Sequence, residues 1–163
     1  MSFPNDRTYT FDINLLFADG AAAQTASGYS QVGGANNITD LGGNQGTSPV
    51  QQARIDLVAV MDVTAIKTSN SNETYKFLVV VSNDSSFGVV TANSVCCAGA
   101  IELGYLGATD VVNGGTSVVG RYEIMFSNNI AGSIYEYVAL YLVVGGTNPS
   151  ITYDGFFAVL PEF

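Results

Sequence analysis

The sequence predicts an all-β protein, and three observations carry that prediction. Strand-like runs with apolar residues at every second position recur from end to end. Turn-forming clusters such as Asn70-Ser71-Asn72, Asn83-Asp84-Ser85-Ser86, Asn113-Gly114-Gly115 and Gly145-Gly146-Thr147-Asn148-Pro149 separate them. No stretch repeats apolar residues at helical spacing over three turns, the nearest approach being the short Ala-rich piece 21–26. Many short strands between Gly- and Asn-rich turns indicate a sandwich, a jelly roll or a barrel.

About eight strands are expected, over 8–18, 54–65, 75–82, 88–92, 100–106, 117–127, 134–144 and 155–160. In the second, Ile55, Leu57, Ala59, Met61 and Val63 line one face, and Asp56, Val58, Val60 and Asp62 the other. The third sets Tyr75, Phe77, Val79 and Val81 against Lys76, Leu78, Val80 and Ser82. In the sixth, Val118, Gly120, Tyr122, Ile124 and Phe126 oppose Val119, Arg121, Glu123 and Met125. The seventh alternates Ile134, Val138, Leu140, Leu142 and Val144 with Tyr135, Tyr137, Ala139, Tyr141 and Val143, and the polar turn 128–132 separates it from the sixth. Several strands are thus apolar on both faces, more than a lone sandwich facing water requires, which predicts burial against another subunit. The segment 20–53 holds no comparable strand and reads as a long loop; 1–9 reads as an N-terminal arm.

At 163 residues the chain is read as one domain, 1–163, with a single core. Charged residues make up 12% of it, about half the usual share, while 18 glycines and many Ser, Thr and Asn supply uncharged polarity. Few charges keep neighbouring molecules apart, which favours a packed, multi-subunit setting. The net charge of −9 arises from 14 acidic residues against 5 scattered basic ones, so no stripe for nucleic-acid phosphates is expected. The N-terminus MSFPNDRTY has no secretory pattern, and the longest apolar run, 137–144, is far short of the ~18 residues of a membrane helix. The expectation is synthesis in the cytoplasm with no membrane partner. Cys96 and Cys97 are adjacent, so they cannot staple loops together and are read as free thiols.

Catalytic templates fit poorly. The chain has no histidine, which removes Ser-His-Asp and Cys-His constellations and every His-ligated zinc site. No Gly-rich stretch ends in the Gly-Lys-Ser/Thr of a phosphate-binding loop. Asp56 and Asp62 share a strand face but lie ~20 Å apart at ~3.3 Å per residue. Glu123 and Glu136 could meet across a hairpin centred near Asn129-Ile130, although solvated positions or pairing with Arg121 are their simpler roles. Asp84, Asp110 and Asp154 sit in turn-like contexts without EF-hand spacing. No catalytic, cofactor or metal site is expected. Tyr135, Tyr137 and Tyr141 project to one side of one strand, either as a stacking platform for sugars or, more simply, as core or interface rings.

Three segments carry a resemblance. FDINLLFADGAAAQTASG (11–28) is an apolar run ending in an acidic residue and followed by an Ala-, Gln- and Thr-rich stretch. NNITDLGG (36–43) contains an Asp-Leu-Gly turn, and GGTSVVGRYEIMF (114–126) a strand with a Gly-Arg-Tyr element. Together they resemble the small jelly-roll cement, or decoration, proteins of tailed bacteriophages. The Asn-rich middle (67–73) and the Gly-rich loop after Gly42 depart from that pattern. The resemblance implies a jelly-roll antiparallel β-sandwich, a homotrimer, the major capsid protein as partner, a place on the outer capsid surface, and no enzymatic activity. Candidate contacts with capsid or a second subunit are Phe3, Phe11, Leu15, Leu16, Phe17, Tyr135, Tyr137, Tyr141 and Phe163. The alternative reading is a carbohydrate-binding β-sandwich module or a receptor-binding virion domain.

Overall fold

The computed structural model describes residues 12–42, 54–87, 95–105 and 119–160. Among them run thirteen strands: Leu16–Asp19 (β1), Gly28–Tyr29 (β2), Gln31–Val32 (β3), Ala35–Asn36 (β4), Thr39–Asp40 (β5), Asp56–Ile66 (β6), Thr74–Ser82 (β7), Cys96–Gly104 (β8), Gly120–Ser127 (β9), Asn129–Ile130 (β10), Ser133–Ile134 (β11), Tyr137–Gly145 (β12) and Ile151–Val159 (β13). The expected strand 88–92, the arm 1–9 and residues 43–53 of the long loop lie outside the described residues.

Two antiparallel sheets face each other. The first has the order β1-β13-β6-β9; the second has β12, β7 and β8 with an outer strand made of two pieces, β2 and β5, both paired to β12. If β2 and β5 count as one interrupted strand, eight principal strands remain, numbered in chain order. Their sheets run 1-8-3-6 and 2-7-4-5, with every successive pair except 4 and 5 crossing between layers in the manner of a jelly roll. The all-β sandwich of the sequence reading is therefore present, with more strands than the eight expected.

One alternating face of each long strand builds the core. Leu57, Ala59, Met61 and Val63 of β6, Tyr75, Phe77, Val79 and Val81 of β7, Ile124 and Phe126 of β9, and Val138, Leu140 and Leu142 of β12 meet between the sheets. Phe17, Tyr153 and Phe157 complete the layer, with Phe17 and Phe157 rings 4.6 Å apart and Phe77 and Tyr153 rings 4.9 Å apart, edge to face.

Several expectations need correction. Residues 13–15, assigned to a strand, form a 3-10 turn, because the Asp12 carboxylate accepts a hydrogen bond from the Asn14 amide at 2.9 Å and starts a helical turn there. The piece 21–26 forms no helix; Gln24 instead bridges Ile151 through both of its backbone groups. Asp154, read as a turn residue, sits inside β13, which begins at Ile151, ahead of the expected 155. Gly155 is there because the Phe17 ring packs on the space that a side chain would fill. Segment 20–42 contributes β2 and β5 to a sheet, and β3–β4 form a small hairpin whose Gly33 and Gly34 both have positive φ.

The turn 128–132 does not join a hairpin of β9 and β12. It is a corner that carries the chain from the first sheet to the second, with its own short hairpin, β10–β11, turning at Ala131 and Gly132. Asn128, 1% exposed, anchors the corner: its Oδ1 accepts from the Ile55 amide at 2.8 Å and its Nδ2 donates to the Tyr135 carbonyl at 3.1 Å.

The outward apolar face of the second sheet is covered by the chain itself. Val80 and Ala139 are buried beneath Phe87, with Tyr29, Ile38, Val95, Tyr137 and Tyr141 packed around them. Tyr29 donates its hydroxyl to the Phe87 carbonyl at 3.0 Å, closing the cover. Two-faced apolarity in β7 and β12 thus has an intramolecular cause. On the first sheet's outward face Val58, Val60 and Ala158 are likewise buried.

Candidate functional site

Among the described residues, the nominated contacts do not form one surface. Phe17 is fully buried between the sheets, a consequence of the bulged pairing of β1 with β13 that turns both Phe17 and Ala18 inward. Leu15 packs half-buried against the same core, and Leu16 lies half-buried opposite Phe156. Phe3, Phe11 and Phe163 lie outside the described residues.

The three tyrosines are also divided. A bend at Glu136 breaks the alternation before β12 begins, so Tyr135 turns toward the central core while Tyr137 and Tyr141 stay on the outward face. The hydroxyl of Tyr135 meets Cys96 Sγ at 3.0 Å, and this contact, with burial second, raises its pKa. A three-ring platform on one strand therefore does not exist. Among the described residues the exposed large apolar side chains (Ile13, Val119, Met125, Val143, Val159) come from five different elements or connections.

The carboxylates are placed structurally. Glu123 sits on β9 opposite Val60, whereas Glu136 is buried at the corner leading into β12, in the other sheet; the hairpin that was to bring them together is absent. Asp56 pairs with Arg54 at 3.2 Å and Asp62 with Arg121 at 2.8 Å. Asp84 accepts from the Ser86 hydroxyl and amide, and those bonds hold its pKa below the ordinary range. Asp110 lies outside the described residues. Among the described residues no three His, Cys, Asp or Glu side chains gather as metal ligands.

What the fold does create is a cleft of about 570 Å³ at the sandwich edge, where the chain leaves β1 and crosses to β2. One wall is the connection 20–28, and the other is formed by β2, the β3–β4 hairpin and Tyr141 of β12. Each wall is fixed by hydrogen bonds. The Gln24 backbone pairs with Ile151 (2.8 and 3.1 Å), and its side-chain amide donates to the Gly28 carbonyl at 3.2 Å. Ser27 Oγ accepts from the Val144 amide at 3.0 Å. Asp19 accepts from the amides of Gly33 (2.7 Å) and Ala21 (3.1 Å), tying the hairpin to β1, and these two donors lower its pKa.

At the floor, Tyr153 donates to Gln24 Oε1 at 2.9 Å and accepts from Ser30 Oγ at 2.7 Å. Burial pushes the Tyr153 phenol up to about 12, with the Ser30 bond pulling weakly the other way. At the mouth, Tyr141 is half-buried with its ring edge-on to Tyr29, 4.9 Å between centroids. Sequence reading named Tyr141 but missed Gln24, Tyr29, Gln31 and Asn36. The signal available was Gln31-Val32-Gly33-Gly34-Ala35-Asn36, a two-residue Gly-Gly hairpin inside the supposed loop. No protein-family model, curated protein or solved structure matches the chain.

Proposed function

We propose that this protein is a structural cement protein of a bacteriophage capsid, binding the outer surface of the shell and bridging subunits of the major capsid protein. The observation that carries the reading is where the three family-like segments fall. Their described parts occupy β1 and the cleft wall, β5, and β9, which are the first, second and sixth strands of the jelly roll. The resemblance is thus spread over the framework of both sheets instead of resting on one loop. Composition agrees with the setting: an acidic chain of −9 is repelled by packaged DNA and belongs outside the shell.

A cement protein works by burying area across seams between capsid subunits, which adds association free energy where internal pressure would part them. Repetition over many sites lets each contact be modest. On this reading the chain is a homotrimer without enzymatic activity, and Phe3 and Phe163 are among its contacts with capsid protein or a second subunit.

The test is the mass of the protein in solution, alone and after mixing with empty heads that lack it. A trimer that co-sediments with heads and raises their melting temperature is the expected result. A monomer that leaves heads unchanged overturns the proposal.

A further inference from the structure

We propose that the cleft between 20–28 and the β3–β4 hairpin is a binding site for a short, uncharged oligosaccharide. This goes beyond the cement reading and does not depend on it.

Four features select that ligand class. First, about 570 Å³ is within the range of small-molecule sites, roughly 300–1,000 Å³, and the walls are pinned before any ligand arrives. Second, among the described residues no Lys or Arg lines the cleft and Asp19 is its one carboxylate, held ionised by two amide donors, so phosphates, sulfates and acidic sugars are repelled. Third, the polar groups at the mouth are neutral amides and a phenol. Gln31 Nε2 donates to Asn36 Oδ1 at 3.4 Å, while Gln31 Oε1, Asn36 Nδ2 and the Tyr141 hydroxyl have no partner among the described residues. They offer an acceptor, a donor and a group that serves as either, matching the mixed demands of sugar hydroxyls. Fourth, the Tyr141 ring adds a flat apolar face beside those groups, the counterpart of the C–H face of a pyranose. A wholly apolar ligand would leave these polar groups desolvated and unpaired.

The probe is an immobilised panel of mannose-, glucose-, galactose- and N-acetylglucosamine-terminated oligosaccharides with sialylated and sulfated counterparts. The strongest neutral binder is then titrated calorimetrically. Binding of one or more neutral glycans in preference to charged ones is expected. Affinity should fall about tenfold or more in Tyr141→Ala and in the exposed pair Gln31→Ala/Asn36→Ala, as loss of hydrogen bonds and ring contact requires. Tyr137→Ala, on the same strand but outside the cleft, should bind as the parent does. The Gln31/Asn36 pair lies on the surface, so its result stands even if Tyr141→Ala fails to fold. Absence of binding to neutral glycans at millimolar concentration, preference for charged ones, or affinity untouched by the Gln31/Asn36 pair overturns the assignment. Head binding is measured separately, so either proposal can fail alone.

Discussion

Raising the pH above 10 should destabilise this protein through Tyr153. Its phenol, 5% exposed, donates to Gln24 Oε1 and accepts from Ser30 Oγ, and burial lifts its pKa to about 12. An unfolded-chain tyrosine titrates near 10. The folded state therefore holds the proton more tightly, so the associated stability is complete below pH 10 and is lost as pH rises to 12. Two pH units at about 1.36 kcal/mol each make this roughly 2–3 kcal/mol. Chemically, the phenolate would face the Gln24 carbonyl oxygen with no proton to share, in a site with little water. Tyr153→Phe removes the titration but leaves Gln24 Oε1 and Ser30 Oγ without their partner, at about 1–2 kcal/mol. Urea unfolding of both proteins from pH 8 to 12 should show the parent more stable at pH 8, with the gap closing and reversing by pH 12. Tyr29 and Tyr75, also raised by burial, and Tyr135 titrate in both proteins and cancel in the difference. An offset between parent and variant that stays constant across this range would refute the reasoning.

Gly155→Ala should cost about 1–3 kcal/mol in chemical denaturation, since its Cβ would overlap the Phe17 ring and lie 3.0 Å from the Val60 carbonyl oxygen. Adding Phe17→Leu should recover part of that loss; additive losses would sink the explanation. Asn128→Ala should cost about 1–3 kcal/mol, because the Ile55 amide and the Tyr135 carbonyl lose a partner at the corner between the sheets. Thermal unfolding at parental temperature would contradict that role.

Much of the core was legible in the sequence because alternation is local. A residue's face in a strand follows from its parity, so Leu57, Phe77, Ile124 and Leu140 were each grouped with the residues that share their face, and the structure turns those faces into the core. The failures came where a distant residue intervened. Asp154 reads as a turn residue ahead of the expected strand 155–160 until the pairing of β13 with β6 is known to begin at Ile151. Tyr135 shares parity with Tyr137 and Tyr141, yet the bend at Glu136 sends it inward. The outward faces of β7 and β12 read as a subunit interface because nothing in their own sequence announces Phe87 folding back over them.

The sequence by itself determined the strand class, the sorting of residues onto two strand faces and the scarcity of charge, properties set by residue type and short-range period. Only the tertiary structure decided which strands pair, that β9 and β12 belong to different sheets, and that β2 and β5 together complete the second one. It also decided that the chain from β1 to β2 encloses a cleft. Two-residue strands have too little pattern to be read locally; their hydrogen-bond partners on β12 lie about a hundred residues away, and burial of the whole sandwich selects that pairing.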